Sequence, residues 1–247
     1  MKIVGIIPAR YGSTRFEGKP LVDICGKSMI QRVYEQASKA IDKVYVATDD
    51  QRIYDAVVDF GGNAVMTSSD HTTGSNRCLE ASNSIQSDYN HDIVINIQGD
   101  EPLLDPENLK VLSGLFSDIN VEFATLIKAI EPNTILASGK GVHVIKNKKN
   151  EAIYFSRSVI PHLRGARQEE WASLHQFYHH IGVYGYTVAA LTEFSSLPSS
   201  VLEDSEMLEQ NRWIENGGRI KLAVVKDEGL AIDTPEDLEK VIKHIQQ

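Results

Sequence analysis

Cysteine is scarce in this 247-residue chain: Cys25 and Cys78 are the whole complement. They form no C-x-x-C pair and no metal-ligand spacing. That excludes a disulfide framework or a zinc knuckle as the organising element, and two reduced thiols are expected. Long apolar runs are missing as well. Nothing approaches the roughly 18 apolar residues of a membrane helix. The short apolar stretch at the N-terminus meets polar residues at once, unlike a secretory signal. These absences point to a soluble cytoplasmic protein with no membrane partner. Positive charge is in deficit, with 25 Lys and Arg against 34 Asp and Glu, a net of -9. A general nucleic-acid partner would ask for the opposite balance. Repeats and low-complexity linkers are absent too. The length suits one α/β domain, or such a domain with a subdomain.

Apolar periodicity alternates between two forms. Ile3-Val4-Gly5-Ile6-Ile7 reads as a buried strand, as do Lys43 to Thr48 and Asp92 to Gln98, with Ala64 to Thr67 as a short one. Between them Met29, Ile30, Val33, Tyr34 and Ala37 fall at helical spacing, and so do Ile53, Ala56, Val57 and Phe60, stopped by Gly61-Gly62. Pro106 opens a further helix. This order predicts a mostly parallel sheet covered by helices, with ligands at the carboxyl ends of the strands. From about residue 121 strands dominate: Phe123 to Ile130, Val142 to Ile145, Ile153 to Ser156 and His179 to Thr187. A helix over Glu203 to Asn216 and a strand over Ile220 to Val225 follow. The last helix begins at Thr234-Pro235, a cap and a first-turn proline. The expectation is a core from about 1–120 and 219–247, with a β-rich insertion over about 121–218.

The first strand leads into Pro8-Ala9-Arg10-Tyr11-Gly12-Ser13-Thr14-Arg15-Phe16-Glu17-Gly18-Lys19. Core packing does not call for Arg10, Arg15 and Lys19 at the end of a buried strand. A polyphosphate does, since the glycines free backbone N–H groups and the cations neutralise phosphate oxygens. A second cluster, Asn96-Ile97-Gln98-Gly99-Asp100-Glu101-Pro102, ends another buried strand. A carboxylate such as Asp100 beside a polyphosphate suits Mg²⁺, which takes hard oxygen ligands. Asp233 precedes the cap of the last helix and is not needed by it, so it is a candidate second metal carboxylate. In Asp70 to Arg77, Ser75 reads as a helix cap, and its hydroxyl with Arg77 also suits a base or ribose pocket. Arg157, His180, Tyr184, Glu209 and Gln210 are open to either reading, since strand packing and a solvated helix face explain them equally well.

Taken together, Ile7 to Arg15 with Gly18-Lys19-Pro20-Leu21, Val46 to Asp49, Asn96 to Pro102, Tyr154-Phe155-Ser156-Arg157, Gly182 to Tyr186, Leu208-Glu209-Gln210 and Asp233 to Glu239 resemble the 3-deoxy-manno-octulosonate (Kdo) cytidylyltransferases nearly end to end and in the family's order. The resemblance implies a nucleotide-diphospho-sugar transferase-like fold. In it, CTP and Kdo react to give CMP-Kdo and pyrophosphate for lipopolysaccharide biosynthesis. By matching position it implies that Arg10, Ser13, Arg15 and Lys19 bind the triphosphate. Ser75, Arg77 and Gln98 would serve the rest of the nucleotide, and Asp100 and Asp233 would hold Mg²⁺. Arg157, His180, Tyr184, Glu209 and Gln210 would surround the acidic sugar. It further implies a homodimer, with the insertion carrying much of the sugar site and the dimer contact. Arg10, Lys19, Asp100 and Asp233 are the expected catalytic set.

Four positions in three segments depart from the family pattern. Phe16-Glu17 stands where Leu-Pro is common, and Glu17 is expected to face solvent. Asn76 replaces an aspartate, and His143 replaces a lysine. The last departure leaves room for another 2-keto acid sugar, such as 8-amino-Kdo or a sialic acid. A silent nucleotide-binding protein on the same fold is the reading from another class. The joint presence of the loop cations, Asp100 and Asp233 counts against it.

Overall fold

The computed structural model describes residues 1–12, 16–139 and 141–246. In chain order the elements are β1 (Ile3–Ala9), β2 (Asp23–Ile24), β3 (Lys27–Ser28), α1 (Met29–Ala37), β4 (Val44–Thr48), α2 (Gln51–Asp59), β5 (Ala64–Met66), α3 (Gly74–Ile85), β6 (Ile93–Asn96) and α4 (Pro106–Gly114). They continue with β7 (Phe123–Ala129), β8 (His143–Lys146), β9 (Ala152–Ser156), α5 (Trp171–Leu174), β10 (Tyr178–Thr187), α6 (Val188–Ser196), α7 (Val201–Glu206), α8 (Gln210–Glu215), β11 (Lys221–Val225) and α9 (Pro235–Ile245). Among the described residues no helix is long and apolar enough to cross a membrane.

The main sheet runs β11-β7-β10-β6-β1-β4-β5. Only β10 opposes the common direction, pairing antiparallel with both β6 and β7. Each face carries a helical layer. On one, Ile30, Val33, Ile53, Val57, Leu109 and Leu112 from α1, α2 and α4 pack with Ile7, Val46 and Ile95. On the other, Cys78, Ala81, Leu191, Phe194 and Trp213 from α3, α6 and α8 pack with Val4, Ile6 and Val94. Strands covered on both faces read as near-continuous apolar runs, which is why β1 and β6 were visible in the sequence. Each fully buried large side chain contributes about 1.5–3 kcal/mol of transfer free energy.

Register places the site. Ala9 pairs with Thr48 and Ile6 with Asn96, so the loops after β1, β4 and β6 leave by one edge. Two strands of the segment expected as a β-rich insertion, β7 and β10, belong to this sheet and lie between β11 and β6. What stands off the main path is the β8–β9 hairpin and a small cluster of Ile130, Leu136, Trp171, Ala172 and Phe177.

The single helix expected over 203–216 is two. Met207 adopts a left-handed conformation, φ 52° and ψ 47°, and ends α7. The Arg157 guanidinium donates to the carbonyls it frees, Glu206 O at 2.7 Å and Met207 O at 3.3 Å. Unsatisfied carbonyls at a helix end favour such a cation. The cap of α3 is Thr73, whose hydroxyl accepts from the Asn76 amide at 3.3 Å. Ser75, expected to cap, is turned inward and buried.

Candidate active site

A cavity of about 320 Å³ opens at the carboxyl edge of the sheet. Arg10, Lys19, Arg77, Gln98, Asp100 and Asp233 all line it, so six of the expected residues, drawn from three loops and the helix α3, meet there. Ser13 and Arg15 lie outside the described residues. Arg10 is exposed at the mouth, directly after β1.

The first loop is closed by its own chemistry. Gly18 holds φ at 70°, and its amide donates to Tyr11 O at 3.0 Å. A Cβ at residue 18 would sit 3.1 Å from the Tyr11 ring, so glycine is required both for the turn and for the approach. The Arg52 guanidinium lies 3.3 Å from the centre of that ring and is held by Asp50 at 2.6 Å. Glu17 is exposed, as expected of the departure there.

Lys19 starts the short turn Lys19–Leu21. Its Nζ donates to Asp100 Oδ2 at 2.8 Å, to Ile232 O at 2.9 Å and to Asp233 Oδ1 at 3.4 Å. The loop that carries Asp233 is fixed from both sides. The Ile232 amide donates to Asp100 O at 2.9 Å, and Asp237 Oδ2 accepts from the Asp233 amide at 3.3 Å within the capping box of α9. Two hard oxygen donors therefore converge on one cation, a donor set that fits Mg²⁺. Among the described residues no third His, Cys, Asp or Glu completes such a group. That too fits Mg²⁺, which is commonly held by one or two carboxylates plus phosphates and water. Glu101, next in sequence, does not join. Burial, with Asp100 and Glu228 nearby, pushes its carboxyl up to about 8, so it stays protonated at neutrality.

Arg77 is buried at the start of α3, donating to Thr67 Oγ1 at 2.6 Å and facing Asp49 Oδ2 at 3.4 Å. Gln98 donates to Gly182 O at 2.6 Å, tying the end of β6 to β10.

A second group adjoins along β10. Its register with β7 shifts between Ile181 and Tyr184. The Thr125 hydroxyl donates to Val183 O at 2.7 Å in that bulge and lies 3.0 Å from His180 Nε2. The bulge shortens the strand locally, so the His180 and Tyr184 rings come to 5.3 Å between centres. Burial lowers His180 to about 3, keeping it neutral, and raises the Tyr184 phenol. Tyr184 donates to Gln210 Oε1 at 3.2 Å, and Ser75 Oγ donates to Glu209 Oε2 at 2.5 Å. Glu209 is also met by Arg212 at 2.9 Å. Gln210 is thus buried rather than on a solvated face. Arg157 stands apart: it is exposed, its amide donates to Glu206 Oε2 at 2.9 Å, and its guanidinium donates to Glu206 O and Met207 O at the α7 corner. His143 is 1 % exposed, edge-on to His179 at 5.0 Å, so the departure at 143 falls within packing.

Sequence reasoning missed Thr67, Thr125 and the inward role of Ser75. The usable signal was a hydroxyl inside an apolar strand, as at Thr125 in Phe123-Ala124-Thr125-Leu126-Ile127.

Comparison with known proteins agrees with this geometry. Residues 4–222 match the cytidylyltransferase family model. The 3-deoxy-manno-octulosonate cytidylyltransferase of Parabacteroides distasonis is 50% identical over 246 residues, covering 98% of this chain and 97% of that one. The enzyme of the same name from Bacteroides thetaiotaomicron is 50% identical, covering 100% and 98%. A solved CMP:2-keto-3-deoxy-manno-octonic acid synthetase complexed with CTP superposes with a TM-score of 0.90 at 42% identity, covering 100% and 99%. A 4-diphosphocytidyl-2C-methyl-D-erythritol synthase from Anaerococcus prevotii, 13% identical with a TM-score of 0.61, shares the fold. The chain is a nucleotidyltransferase and belongs to the 3-deoxy-manno-octulosonate cytidylyltransferase family.

Proposed function

We propose that this protein activates Kdo with CTP, giving CMP-Kdo and pyrophosphate for lipopolysaccharide assembly. The observation that carries the reading is the convergence of Arg10, Lys19, Arg77, Gln98, Asp100 and Asp233 on one cavity in a chain of this family. In the reaction the sugar's anomeric C2 hydroxyl oxygen attacks the α-phosphorus of CTP. The bond from that phosphorus to the bridging oxygen breaks, pyrophosphate leaves, and the hydroxyl proton is lost. Such a displacement depends on positioning and charge neutralisation more than on covalent help.

Arg10 and Lys19 neutralise the triphosphate and the departing pyrophosphate. Arg15 and Ser13, by their place in the same loop, join them. Arg77 and Gln98 hold the nucleoside portion. Asp100 and Asp233 would hold Mg²⁺, which when bound polarises the α-phosphate and orients the attacking oxygen. His180, Tyr184, Glu209 and Gln210 form the polar wall for the sugar, and Arg157 offers a planar fork for its carboxylate. We also place the reaction in the cytoplasm and the active form as a homodimer, joined through the 121–218 segment. Light scattering on the purified protein should give twice the 27.5 kDa chain mass.

The direct test is pyrophosphate release from CTP and Mg²⁺ with Kdo, 8-amino-Kdo or a sialic acid. Release is expected with Kdo; none with either Kdo-type sugar would sink the reading. Arg77→Lys is expected to raise the KM for CTP about tenfold with kcat little changed. A lysine is a point charge and cannot serve Thr67 and Asp49 through one fork, and tenfold corresponds to about 1.4 kcal/mol. Steady-state kinetics at varied CTP decide it.

A further inference from the structure

We infer that Lys19 is an exchangeable counter-ion that makes the two-carboxylate seat selective for metal arriving with a nucleotide. The inference rests on the reading of Asp100 and Asp233 as the metal carboxylates, and extends it. All three ammonium protons of Lys19 are used: Asp100 Oδ2, Ile232 O and Asp233 Oδ1, at 2.8, 2.9 and 3.4 Å. Its side chain is only 14% exposed, so it is enclosed with these partners rather than resting on the surface. The oxygens it engages are the ones a hard dication would take. A dication and an ammonium cannot share Asp100 Oδ2 without strong like-charge repulsion at close range.

Lys19 must therefore move before metal can sit directly on both carboxylates. Metal alone offers the ammonium no new partner. A triphosphate does, because Lys19 lines the same cavity as Arg10 and can redirect its N–H hydrogen bonds to phosphate oxygens. Nucleotide binding thus releases the carboxylates, and metal binding releases the ammonium. The two ligands are coupled with equal strength in both directions. A bare divalent ion is held weakly, and a nucleotide without metal takes from Asp100 its 2.8 Å bond to the Lys19 ammonium once Lys19 has moved.

The test measures Mn²⁺ binding without nucleotide, by electron paramagnetic resonance of the free ion, on the full-length protein. Lys19→Met and Lys19→Gln should each bind Mn²⁺ at least tenfold tighter than wild type, and Lys19→Arg should stay as weak as wild type. Thermal unfolding of each variant checks that it is folded, and two neutral replacements guard against one failing to fold. If both neutral variants bind no tighter than wild type, the exchange inference is wrong. Adding Asp100→Asn to Lys19→Met separates the two readings. Loss of the tight Mn²⁺ site supports exchange at Asp100; an unchanged site would overturn the metal reading and the exchange with it.

Discussion

An Asp100→Asn variant is expected to lose about 10²–10³ of kcat at saturating CTP and Kdo. The substitution keeps the side chain's shape and removes its charge. Two consequences follow at one atom. Oδ2 can no longer serve as an anionic donor to Mg²⁺, and Lys19 loses its shortest hydrogen bond, 2.8 Å. The first acts where negative charge develops on the departing pyrophosphate, so the loss should appear in kcat more than in the KM for CTP; the second belongs to the nucleotide-free state. Stability should change by no more than about 1 kcal/mol, because asparagine keeps the side chain's shape and Lys19 keeps Ile232 O and Asp233 Oδ1 as acceptors. The measurements are turnover across a Mg²⁺ series and a urea unfolding midpoint. Unchanged turnover would remove Asp100 from the metal role. A collapse of the midpoint would make it a structural residue instead.

The legible part of this molecule was local. β1, β4 and β6 announce themselves because strands covered on both faces need continuous apolar runs, and the loops that follow them inherit a common edge from parallel pairing. Thr234 and Pro235 mark the start of α9 because a cap and a first-turn proline act within one helical turn. The helix α3 was harder. It buries only Ser75, Arg77, Cys78, Ala81, Ser82 and Ile85, so half of its inward face is polar and the apolar period is weak. The helix α6 begins one residue after β10 ends, which blurs strand into helix. The break at Met207 carries no glycine to signal a left-handed residue. The site divides the same way. Charged loops could be placed on the sheet edge from the order of elements. Pairs such as Ser75 with Glu209, 134 residues apart, or Tyr184 with Gln210 depend on how α3, β10 and α8 pack together. Only the family resemblance pointed to them beforehand.

The second large effect concerns acid stability, and His143 carries it. The ring is 1 % exposed, and among the described residues neither of its nitrogens has a hydrogen-bond partner. Burial, with His179 beside it, lowers its pKa from 6.5 to about 4. His179 in turn faces Glu228 Oε2 at 3.8 Å, so the nearest carboxylate is directed to the outer ring. The folded protein therefore keeps His143 neutral, while the unfolded chain takes up a proton near pH 6.5. The unfolded state binds more protons between the two values, so stability is full above about 6.5 and is lost as pH falls toward 4. At pH 4.5 this one ring should cost roughly 2–3 kcal/mol relative to pH 7.5. His180, also lowered by burial, acts in the same direction and steepens the wild-type curve. His143→Leu isolates the contribution, since leucine fills most of the ring's space with no group to titrate. Urea unfolding at pH 7.5 and 4.5 should show the variant losing roughly 2–3 kcal/mol less than wild type over that interval. Equal losses in the two proteins would mean that His143 titrates normally in the folded state, and that its lack of partners among the described residues does not keep it neutral.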